Sequence, residues 1–138
     1  MGSIEGTSNN NVIDSSNRMF LHPYDIPGIS LVHTLFSGTG FGRWKRSIIV
    51  SLSAKNKIGS VDGTCPKLAE NSPHIKQWNK CNNMVIAWLT NSLSPEIAES
   101  VQYSEIVESI WEQLNKRYGA VNGTKVFEIK KELASTMQ

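Results

Sequence analysis

SEIVESIWEQLNKRYG, residues 104–119, decides the fold class of this chain. Within it Val107, Ile110, Trp111, Leu114 and Tyr118 recur at spacings of three and four, the period of one helix face. Ser104 opens this helix and Gly119 ends it. The same period extends outward in both directions. Upstream, Ser94-Pro95-Glu96 is a cap, a proline and an acid, the start signal of a short helix ending near Val101. Before that, Ser72 and Pro73 open a helix with the stripe Ile75, Trp78, Cys81, Val85, Trp88 and Leu89. Earlier still, Phe41, Trp44, Ile48 and Leu52 form a stripe that predicts a first helix ending near Asn56 to Gly59, with Gly59 as a stop signal. Downstream, Asn122-Gly123 is a turn, and Thr124 caps a fifth helix carrying Val126, Ile129, Leu133 and Met137. That pattern is still in phase at the last residue, so a chain truncated at its C-terminal end is expected.

The expectation is an all-α protein of about five helices. Residues 1–17, rich in Ser, Asn and Gly, read as a disordered arm, and residues 18–138 as one helical domain. Turn signals on both sides of residues 29–36 predict a short extended or hairpin segment ahead of the first helix. Residues 61–72 read as a loop. The expected core comprises Trp44, Ile48, Leu52, Trp78, Val85, Trp88, Ile110, Trp111, Leu114 and Tyr118.

Composition fits one domain able to bury a core: 138 residues, 39% hydrophobic and 19% charged. A net charge of +2 is too small to imply nucleic-acid binding by itself. No apolar run resembles a secretory signal or a membrane span, which predicts a soluble, cytoplasmic protein. The two cysteines, Cys65 and Cys81, have no CxxC partner and read as reduced thiols.

Chemistry is hard to find. His22, His33 and His74 lie in or beside loops without a ligand-like partner, so neither a metal site nor a general base is signalled. The glycines of Ser37-Gly38-Thr39-Gly40-Phe41-Gly42 meet Arg43 where a dinucleotide fingerprint needs a third glycine, and they read as a turn into the first helix. No catalytic residue and no cofactor are expected, and an enzyme is not the reading.

Charge order says more. Five basic residues, Arg43, Lys45, Arg46, Lys55 and Lys57, occur between Ile26 and Val61 with no acid among them. Between Asn82 and Asn115 stand five glutamates, Glu96, Glu99, Glu105, Glu108 and Glu112, with no Lys or Arg. Such runs are most often solvated faces; as complementary patches they steer copies of a chain together. Arg43, Lys45, Arg46, Lys55 and Lys57 are the candidate basic contact patch, and Glu105, Glu108 and Glu112 the candidate acidic one.

The wording of the sequence adds a resemblance. HPYDIPG at 22–28 followed by Leu31-Val32 resembles the HPSDNPG…LV opening of the Gag N-terminal domain of copia-type LTR retrotransposons. Leu35-Phe36-Ser37-Gly38, Trp44-Lys45-Arg46-Ser47, residues 52–59 and Val61-Asp62-Gly63-Thr64 continue it. The second half is similar to the adjoining Gag-polypeptide segment, through Trp78, residues 80–85, Trp88-Leu89, Asn91-Ser92, residues 94–97, Ile110-Trp111 and Arg117-Tyr118. Two departures stand out: Phe41-Gly42 where the family usually has Asn-Tyr, and Ser60 where it usually has Phe. Both remove contacts near the first helix, so looser packing is expected there.

The resemblance implies a retroviral-capsid-like helical bundle and a structural Gag role: a homo-oligomer, or an assembly with other Gag chains, building a particle around element RNA. The sequence has none of the family's later capsid half, zinc knuckle, protease or polymerase, which puts particle assembly by this chain alone in doubt. Other readings are a host-retained Gag fragment acting as a protein-interaction module, and a weak RNA-binding module using the basic first helix. No membrane span and no small-molecule substrate are expected.

Overall fold

The computed structural model describes residues 13–119. α1, Phe41–Ala54, buries the four residues of its predicted stripe, Phe41, Trp44, Ile48 and Leu52. Each apolar side chain taken fully out of water there contributes about 1.5–3 kcal/mol. Gly38 and Gly40 hold the backbone at φ 116° and 72° immediately before the helix, a region closed to most side chains. The helix ends at Ala54, just ahead of the expected end at 56–59. Asn56, at φ 58°, takes the left-handed position, and the Asn56 and Lys57 N–H groups donate to the carbonyls of Ser53 and Leu52 at 3.1 and 2.7 Å. This is a Schellman closure built on asparagine. Gly59 opens a further short helix, α2, Gly59–Asp62, inside the segment expected to be partly loop. A Cβ at Gly59 would lie 2.9 Å from Thr64 Oγ1 and 3.2 Å from Cys65 Cβ, so the close return of the chain requires glycine there.

α3, Ile75–Thr90, starts two residues after the expected proline and buries Trp78, Cys81, Asn82, Val85, Trp88 and Leu89. α4, Pro95–Val101, has its proline in the first turn as expected. Its Ser94, read as a side-chain cap, makes no such bond, and the buried hydroxyl has no partner among the described residues. α5, Val107–Leu114, begins three residues later than Ser104. Its first turn is satisfied from a different helix: Val107 N–H donates to Asn82 Oδ1 at 3.0 Å, and Asn82 Nδ2 donates to the Glu105 carbonyl at 2.7 Å. After Leu114 the helix widens into a π-helical turn, Asn115–Gly119. There Tyr118 is half-buried, edge-on to Phe36 at 4.8 Å.

The described residues are thus helical, with five α-helices and no sheet. The fifth helix expected from Thr124 onward lies outside the described residues. So do residues 1–12 of the expected arm, whereas Ile13 packs on a small cluster of Met19, Cys65 and Trp78. No hairpin forms at residues 29–36. That segment is a series of bends with one parallel bridge, Phe36 to Leu93. Its polar groups are met by the end of α3 rather than by a partner strand. Nor is the start of α1 loosely packed: Phe41 lies 5.3 Å from Phe36 and 5.6 Å from Trp44 between ring centres, and is buried. The aromatic ring replaces by stacking what the departure from the family pattern removes.

Residues 20–36 form a strap over the helices. Trp88 Nε1 donates to the Ile26 carbonyl at 2.7 Å, and Asn91 Nδ2 to the Pro27 carbonyl at 2.8 Å. Buried Ser92 gathers the rest. Its hydroxyl accepts from Leu31 N–H at 2.9 Å and donates to the Trp88 carbonyl at 2.8 Å. Its carbonyl accepts from Phe36 N–H at 3.1 Å and from Trp44 Nε1 at 2.9 Å. All four tryptophans are buried; Trp78 belongs to the small cluster and the other three to the main core.

Asn82→Ala leaves a buried donor and acceptor unmet at the start of α5, and should lower the unfolding free energy by about 2–4 kcal/mol in urea titration. Ser94→Ala removes a hydroxyl that bonds nothing and should change stability by less than about 0.5 kcal/mol, against the ~1 kcal/mol of a working cap. Burial pushes the Cys81 thiol above its ordinary 9.0, opposed by the nearby Lys57 charge and the Ser60 hydroxyl. Through this group the native state holds the proton more tightly than the unfolded chain does. The associated stability is therefore complete below about pH 9 and is lost as pH rises through the native value. The stability difference between the wild type and Cys81→Ala should shrink as pH rises above about 9.

Candidate interaction surface

Among the described residues no group of three or more His, Cys, Asp or Glu side chains could hold a metal ion. His22 and His33 are exposed and His74 is half-buried, each in or next to a turn or bend. No described helix is long and apolar enough to cross a membrane. What the fold does present is a divided set of charges and a groove.

The five residues of the basic run do not share a surface. Arg43 and Arg46 are exposed on α1 and Lys45 is half-buried. Lys55 is turned inward, 3.7 Å from Asp25 and 4.8 Å from the centre of the Trp88 ring, where it clamps the strap. Lys57 is 3% exposed and donates to the Lys55 carbonyl at 3.3 Å. It follows the left-handed Asn56, the position from which a side chain commonly packs back on the helix it ends. Lys55 and Lys57 therefore leave the candidate patch, because the end of α1 draws both into the structure.

Arg43 and Arg46 border a groove of about 740 Å³ between α1 and the strap. Its wall includes Leu35, Phe36, Trp44 and Val50, together with His33 and Ser47. No acidic residue lines it. Leu35 and Val50 remain 42% and 55% exposed, so the groove presents apolar side chains alongside the two guanidinium groups.

The acidic residues lie elsewhere. Glu105 and Glu112 are exposed, as are Glu96 and Glu99 on α4. Glu108 is half-buried and faces the end of α2, since a Cβ at Gly63 would come within 3.0 Å of its Oε1. The ion pairs among the described residues are Lys55–Asp25 and Lys67–Glu70, and neither joins the basic run to the acidic run. Between Val101 and Ser104 stands Tyr103, 87% exposed, which the periodic reading of the sequence passed over because it lies between two helices.

Neither the curated proteins nor the solved structures yield a match to the chain. Residues 22–67, which carry most of the strap, α1 and α2, match the family model described as Gag-polypeptide of LTR copia-type.

Proposed function

We propose that the chain is a structural subunit that self-associates through exposed charged surfaces, toward a particle enclosing the RNA of its element. The family matched by residues 22–67 is structural rather than catalytic, and a Gag-type structural role follows from that match. The reading beyond it rests on one observation: the exposed guanidinium groups of α1 and the exposed glutamates of α4 and α5 have no ion-pair partners within the described residues. Opposite charges left unpaired within a subunit are available between subunits, where they steer encounter and set register. Repeated identical contacts of this kind close rings or extend lattices. On this reading the work is done in the cytoplasm by protein packing, with no reaction, and RNA contact is secondary.

Light scattering across protein concentration tests the reading. The mean mass should rise with concentration at low salt and fall back as added salt screens the charges. Arg43→Glu with Arg46→Glu should weaken association about tenfold or more, while Lys55→Met, which alters only the clamp on the strap, should leave it within about twofold. A monomer under all conditions, or equal association by the doubly reversed variant, would sink the proposal.

A further inference from the structure

We infer that the groove between α1 and the strap receives the segment between α4 and α5 of a second copy of the chain, with Tyr103 as its anchor. The inference rests on the self-association proposed above and names the two surfaces that meet. The groove exposes the apolar side chains of Leu35 and Val50, carries Arg43 and Arg46 on its border, and has no acid in its wall among the described residues. The complementary piece must therefore combine an apolar side chain with negative charge. Residues 99–105 fit that description: Tyr103 stands out between Glu99 and Glu105 in the sequence with no basic residue among them, and Arg117 reaches the segment only at Ser100, whose hydroxyl it meets at 2.9 Å. Tyr24 is comparably exposed, but its ring stacks on His22, and it sits within the strap beside Asp25 and the Lys55 clamp.

Tyrosine is among the residues that dominate interface energetics, because a large ring loses few rotors on docking and its hydroxyl can still bond at the rim. The guanidinium groups at the border can pair with the glutamates and lie over the ring. The chain's own residues 120–138 suit the groove less well, because Lys125, Lys130 and Lys131 outnumber Glu128 and Glu132 there. None of residues 99–105 lines the groove of its own chain, so each copy offers one socket and one plug. That arrangement is heterologous and propagates from copy to copy.

Two variants and their mixture test the pairing. Tyr103→Ala removes the plug and Val50→Glu spoils the socket; both positions are exposed, and circular dichroism verifies that each variant folds. Each variant alone should stay monomeric where the wild type grows, a loss of about tenfold or more in association. Mixed in equal amounts they should form a one-to-one dimer and nothing larger, since the Ala variant keeps a socket and the Glu variant keeps a plug. If the wild type grows and both variants grow equally well, the pairing is wrong while the self-association proposal stands. A wild type that remains monomeric overturns both, leaving the groove to a segment of the same chain or to a different protein. If the groove instead binds a single-stranded RNA oligomer, Val50→Glu and Arg43→Glu abolish that binding, and Tyr103→Ala changes neither it nor the mass, the site belongs to nucleic acid and the pairing falls.

Discussion

Ser92 is the point on which the rest of the structure depends. At the turn leaving α3, its carbonyl and hydroxyl hold Phe36 N–H, Trp44 Nε1, Leu31 N–H and the Trp88 carbonyl. These four bonds tie the strap, α1 and α3 together in one buried place. Buried polar groups of the backbone have to be met by something, and a strap without a partner strand has few ways to do so. A single serine between α3 and α4 supplies both a donor and acceptors without adding bulk. The aromatic core then closes around it, with Phe36, Phe41, Trp44, Trp111 and Tyr118 in successive ring contacts.

The segment matched by the Gag family is thus not held by itself. Ile26, Pro27, Leu31 and Phe36 lie inside residues 22–67, and the side chains and carbonyl that bind them come from Trp88, Asn91 and Ser92 outside it. The His-Pro-Tyr-Asp-Ile-Pro-Gly turn is shaped to lie on the end of α3, and Lys55 secures it through Asp25 and the Trp88 ring.

Much of this was legible before the structure. The stripes of α1, α3 and α5 stood out because apolar side chains at the helical period must face one core, and the proline start of α4 was equally plain. The parts that could not be read share a cause: they are satisfied by partners distant in the chain. α5 begins where Asn82 on α3 caps it, and no residue next to Val107 announces that. α2 is four residues long, too short to show a period. A carbonyl such as that of Ser92 has no signature at all. The basic run was read as one surface because composition counts charge and cannot see that the backbone at Asn56 turns Lys57 inward.

The strap also depends on contacts between residues far apart in the chain. Its bonds from Trp88 to Ile26 and from Leu31 to Ser92 close loops of 62 and 61 residues, long separations for a helical protein. Helices of this length form in about a microsecond or less once their neighbours are present, whereas closing long loops must be completed before the contacts within them repay the lost entropy. Seating the strap on α3 therefore costs more loop entropy than forming any one helix. A chain ending before residue 92 would carry its Gag-matching region without the serine that anchors it, so the groove along α1 is complete only when the second half of the chain is present.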